Sequence, residues 1–126
     1  MTGNSTLVVA SGAGSNVINV AGTGVAAPID TTGGSVSNPS FDASRLQILY
    51  GGTGEVKING GAKTAGMVYA PNATASLNGN SDFYGSIVAA RITDNGNNTL
   101  HYDRHLSGSF YVAGNPMLSA FSWKRF

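Results

Sequence analysis

The densest chemistry in the chain is the run His101-Tyr102-Asp103-Arg104-His105. An extended strand projects His101, Asp103 and His105 to the same side, and two imidazoles with a carboxylate suit a divalent transition ion. The plainer arrangement turns Tyr102 and Leu106 into a core and leaves the polar residues on a solvated edge, where Arg104 opposes a cation. The expectation is no metal site, with His101, Asp103 and His105 as the residues to check. Catalytic chemistry is also not expected. A glycan-cleaving enzyme needs carboxylates gathered on one face, whereas Asp30, Asp42, Glu55, Asp82, Asp94 and Asp103 are spread singly. Only Asp82 and Asp103 would meet, if residues about twenty apart stack on each other. The aromatic residues Tyr50, Tyr69, Phe83, Tyr84, Tyr102, Phe110 and Tyr111 offer either a glycan platform or ordinary core packing.

Whatever these residues do, a glycine-rich β framework must position them. Eighteen of 126 residues are glycine and only 10% are charged, a turn-rich composition. With 41% apolar residues the chain can bury a core, and its length suits one domain. A net charge of +1 with scattered basic residues gives no electrostatic footprint for nucleic acid. With no cysteine, disulfides and thiolate metal sites are excluded. No stretch is long and apolar enough to span a membrane. An export signal is not present in this chain and is expected outside it. Asn4-Ser5-Thr6, Asn72-Ala73-Thr74 and Asn97-Asn98-Thr99 fit the glycosylation acceptor pattern, which arises readily by chance in so Asn/Thr-rich a chain.

Short apolar runs recur between Gly/Asn corners, among them Thr6–Ala10, Asn16–Ala21, Leu46–Tyr50, Glu55–Ile58, Gly66–Tyr69, Ala75–Leu77, Tyr84–Ala89, Leu100–Tyr102, Ser109–Val112 and Leu118–Trp123. Ile48, Val68 and Ile87 fall twenty and nineteen residues apart. A period of that size marks units that bury their apolar face only by stacking on copies of themselves. Hairpins of a sandwich would instead repeat every 8–12 residues or so. The expected fold is all-β, a parallel β-helix of about 19–20 residues per coil, right-handed by the crossover rule, with Ile48, Val68 and Ile87 as a core ladder and Asn78 and Asn80 in an amide ladder. Residues 1–106 form the helix, with an irregular insertion at about 22–44, and residues 107–126 an apolar strand segment.

Several of these runs resemble a known family. Leu46-Gln47-Ile48-Leu49-Tyr50-Gly51, Val68-Tyr69-Ala70-Pro71-Asn72-Ala73, Leu77-Asn78-Gly79-Asn80, Tyr84-Gly85-Ser86-Ile87-Val88-Ala89 and His101-Tyr102-Asp103 are similar to the β-helical C-terminal domain of bacterial pilus-assembly-like surface proteins. Val17-Ile18-Asn19-Val20-Ala21-Gly22 and the Ala70-Pro71-Asn72-Ala73 turn also resemble collagen-binding-type and choice-of-anchor A adhesin domains, and Ser122-Trp123-Lys124 resembles the ending of pilus accessory proteins. The resemblance implies a bacterial extracellular or cell-surface structural module without catalytic residues or cofactor. The membrane-anchored segment that precedes such domains is expected outside this chain.

A stack of parallel strands has two open ends. Leu7, Val8 and Val9 open this one; Phe110, Val112, Leu118, Phe121 and Trp123 close it. These residues serve either to cap the stack or to pair with a neighbouring copy in a homo-oligomer or filament. The alternative function is an adhesin-like module that recognises a glycan or matrix ligand on its tyrosine-bearing face.

Overall fold

The computed structural model describes residues 5–9, 14–21, 23–59, 64–80 and 82–102. It is all-β: β1 (Ser5–Val8), β2 (Asn16–Val20), β3 (Ile29–Asp30), β4 (Gly34–Ser37), β5 (Leu46–Tyr50), β6 (Glu55–Asn59), β7 (Thr64–Gly79), β8 (Asp82–Gly96) and β9 (Thr99–Tyr102). Among the described residues the only helical geometry is a 3-10 turn, Ala43–Arg45, capped by the Asp42 carboxylate, which accepts from the Ser44 amide.

Every strand pairing among the described residues is parallel. Strand β1 pairs with β4; a larger sheet joins β2, β5, β7, β6 and β3, and extends from β7 through β8 to β9. The two long strands bend. The first part of β7 pairs with β5 and its second part with β6, and β8 follows β7 along both parts. The Gly66–Tyr69 and Ala75–Leu77 runs are therefore one strand. Pro71, which has no N–H to give a ladder, lies at the bend, where the β7–β8 register shifts between Ala70 and Thr74.

The chain thus makes successive passes over the same faces. Ile18 pairs with Ile48, Ile48 with Val68, and Val68 with Ile87. Ile48 and Val68 are buried in the main apolar cluster, and Ile18 and Ile87, partly covered, pack against it. A second inward row runs from Ile29 through Val56 and Ala75 to Ile92. Val56 and Ala75 are fully enclosed, whereas Ile92, in the last complete pass, is 46% exposed. Asn59, Asn78 and Asn95 align in a third row, in which Asn95 donates to the Asn78 side-chain oxygen at 3.3 Å.

The spacing between passes is not constant. Gln47 pairs with Met67 and Glu55 with Thr74, twenty and nineteen residues on. Asn16 pairs with Leu46, thirty residues on, and Asp82 with Thr99, only seventeen on. Much of the change sits at one corner. From the Asn19–Leu49–Tyr69–Val88 row to the Ile29–Val56–Ala75–Ile92 row the chain takes ten, seven, six and then four residues. The rest is the loop before β5. Residues 22–44, expected as an irregular insertion, carry β3 and β4, both paired in the stack. These strands are short and bordered by Pro28 and Gly33-Gly34, so they lack an apolar run of recognisable length. The 107–126 segment lies outside the described residues.

Candidate functional site

Two features meet at the last passes. The first is an edge. Among the described residues β9 pairs only with β8, and its four residues are exposed. Leu100 sits over the buried Phe83 and Tyr102 over Gly85, yet they are 43% and 58% exposed because no further described strand covers them. Leu100 and Ile92, which continue the rows of the buried Phe83 and Ala75, thus stay exposed along an edge that no further strand joins among the described residues, the combination that templates strand addition. At the opposite edge Leu7 and Val8 of β1 are exposed, while Val9 is buried and donates its amide to the Ser37 carbonyl at 2.8 Å.

The second feature is a cluster on the outward face. Tyr84 and His101 are directly paired, and their rings stack with centroids 4.5 Å apart and planes 10° from parallel. Phe41 meets Tyr84 edge to face at 5.4 Å. Asp82 lies 3.5 Å from His101 Nε2 and accepts a long hydrogen bond of 3.4 Å from the Tyr84 hydroxyl. Alternation along β8 explains the arrangement: Phe83 points in and is buried, so Asp82 and Tyr84 point out.

Phe41 reaches this face from the loop before the 3-10 turn, which is built around Asn38. That side chain is 1% exposed, and its amide donates to the carbonyls of Asp42 and Ala65. The Ser40 hydroxyl donates to Asn38 Oδ1, and the Phe41 amide donates to the Asn38 carbonyl. So held, Phe41 adopts φ 55°, left-handed backbone that a bulky side chain rarely takes.

The chain from residue 2 to residue 109 matches the model of a family described as Domain of unknown function (DUF7305). It belongs to the DUF7305 family. No curated protein and no solved structure matches it.

Of the residues singled out from sequence, the DUF7305 fold joins Ile48, Val68 and Ile87 in one row and sets His101 beside Asp82 and Tyr84. Asp103, His105, Phe110, Val112, Leu118, Phe121 and Trp123 lie outside the described residues. Among the described residues no three of His, Cys, Asp or Glu gather closely enough to hold a metal ion, and no helix is long and apolar enough to cross a membrane. Tyr50 is a core residue, 2% exposed, whose hydroxyl accepts from the Gly54 amide at 3.0 Å. Sequence reasoning missed Phe41 and Asn38. Asn38-Pro39 marks a turn, but nothing in the residue types announces that an exposed ring is displayed there.

Elsewhere on the outward face, polar side chains pair with one another along and between strands. Lys57 lies 3.9 Å from Asp30 and 3.8 Å from Glu55, and Glu55 accepts from the Ser76 hydroxyl. The Thr32 hydroxyl and amide both donate to Asp30 Oδ1. These bonds, with a smaller contribution from Lys57, hold the Asp30 carboxyl below its ordinary value.

Proposed function

We propose that this DUF7305 chain is a non-enzymatic structural module of the bacterial surface or of a pilus-like filament, folded as a right-handed parallel β-helix and self-associating through its terminal strands. The β-helix reading is supported by uniformly parallel pairing between successive passes and by aliphatic rows that run through them. Its hand follows from the strong right-handed preference of parallel crossovers. The extracellular setting rests on the resemblance to pilus-assembly-like surface domains, and no cofactor enters the reading.

The observation that carries self-association is the β9 edge, where Leu100 continues the row of the buried core residue Phe83 and yet stays 43% exposed. A strand from a second copy would extend the ladder and cover it, the strand-addition mode of recognition. Because the partner edge differs from the one it meets, the contact is heterologous and propagates. The test is negative-stain electron microscopy and light scattering across a concentration series, on the intact chain and on a chain ending before Leu118. Fibres that lengthen with concentration and vanish on truncation are expected. A monomer at every concentration, or fibres indifferent to both the truncation and Leu100→Lys, would overturn the reading.

A further inference from the structure

We infer that Phe41, Tyr84, His101 and Asp82 form a binding platform for a neutral oligosaccharide, a site that does not depend on self-association.

The argument begins with Phe41. Packing alone does not account for its geometry, because the residue is 44% exposed in a backbone conformation that disfavours a bulky side chain. The loop that imposes this conformation is over-determined by the buried Asn38 and its bonds to Asp42, Ala65 and Ser40. An apolar ring is thus presented to solvent by a rigid support, the arrangement that lowers the ordering cost of binding. The second ring, Tyr84, is braced by its contacts with Phe41 and His101. The His101 and Asp82 side chains, 44% and 51% exposed, remain open beside the rings.

Ligand chemistry follows from what is exposed. Flat ring surface suits a ligand with an apolar face, and the carboxylate and imidazole next to it supply acceptors and a donor for hydroxyl groups. A pyranose offers both, C–H groups on its faces and hydroxyls at its rim. A cationic ligand fits less well. The rings pack edge to face and face to face on one another instead of surrounding a cage, and the other acid of the loop, Asp42, is occupied by Arg45 at 3.5 Å. Three rings in successive contact, Phe41 on Tyr84 and Tyr84 on His101, offer more than one stacking surface, so an oligosaccharide is the expected ligand.

Isothermal titration of the full 126-residue chain, kept below any assembly concentration, with cellotetraose, chitotetraose and α-mannotetraose tests the inference. Saturable binding of at least one tetrasaccharide is expected, weakened tenfold or more by Phe41→Gly. Glycine accepts the left-handed backbone, so the melting temperature of that variant should hold or rise, which separates loss of the ring from loss of the fold. Asp82→Asn should weaken the same binding severalfold without moving the melting temperature. Failure of all three sugars, retention of full affinity in Phe41→Gly, or preference for tetramethylammonium over the sugars would each overturn the assignment. Because the readout is taken on monomer, failure of the filament reading leaves it untouched.

Discussion

Gly85 lies directly against Gly66: the two are paired across β7 and β8, and a Cβ on Gly85 would fall onto the Gly66 carbonyl and within 3.0 Å of the Ala43 methyl. Gly85 also has φ 138°, open to glycine and strained for other residues. The close approach lets β7 and β8 stack at strand spacing. Gly85→Ala should therefore destabilise the fold by about 2–4 kcal/mol, combining backbone strain with overpacking. Thermal and urea denaturation measure this, and an unchanged midpoint would contradict the packing described.

Asn38 secures the loop that carries Phe41. Replacing it with alanine leaves the Ala65 carbonyl without its buried donor and should cost about 1–3 kcal/mol. Amide hydrogen exchange should rise at Phe41, whose bond to the Asn38 carbonyl depends on the same turn, while Ile48 and Val68 stay protected.

Acid should weaken the fold partly through Asp30. Its folded carboxyl titrates below the ordinary value of 3.8 because Thr32 donates two hydrogen bonds to the ionised form and Lys57 adds a favourable charge. The contribution to stability is present in full above the unfolded value and is lost as pH falls through the lowered folded one. Asp30→Asn should flatten the stability profile below the ordinary carboxyl value of 3.8 and leave its shape at neutral pH unchanged, as read from melting temperatures in acid and at neutral pH.

The terminal edges can be tested separately. Leu100→Lys and Val8→Lys alter exposed positions at opposite edges, so each should cost about 1 kcal/mol or less in fold stability. On the assembly proposed above, each should also stop filament growth. Mixed in equal amounts, the two variants retain one intact pair of edges and should form dimers by light scattering. Dimers of either variant alone would indicate a contact between like ends.

The sequence carried the all-β character and the middle rows plainly. Ile48, Val68 and Ile87 stand at nearly constant spacing, and the Gly/Asn corners between their strands have few other uses. Ile18 belongs to the same row but precedes Ile48 by thirty residues, because the first pass spends extra chain at a corner and in the loop before β5. That loop was the harder part to read. Its one conspicuous residue, Phe41, adopts a conformation associated with glycine or asparagine, so turn propensities point away from it. The Asp82–His101 contact was hidden for a related reason. It depends on a seventeen-residue register at the end of the stack, shorter than the period that the middle of the chain displays.

The pairings also bear on how the chain reaches its folded state. Among the described residues each joins positions between seventeen and thirty apart, from Asp82–Thr99 to Asn16–Leu46, and none ties the first strand to the last. Each new pass needs only its predecessor as a template, so folding can advance in one direction as the polypeptide emerges from a ribosome or a narrow export channel, with no completed chain required to begin.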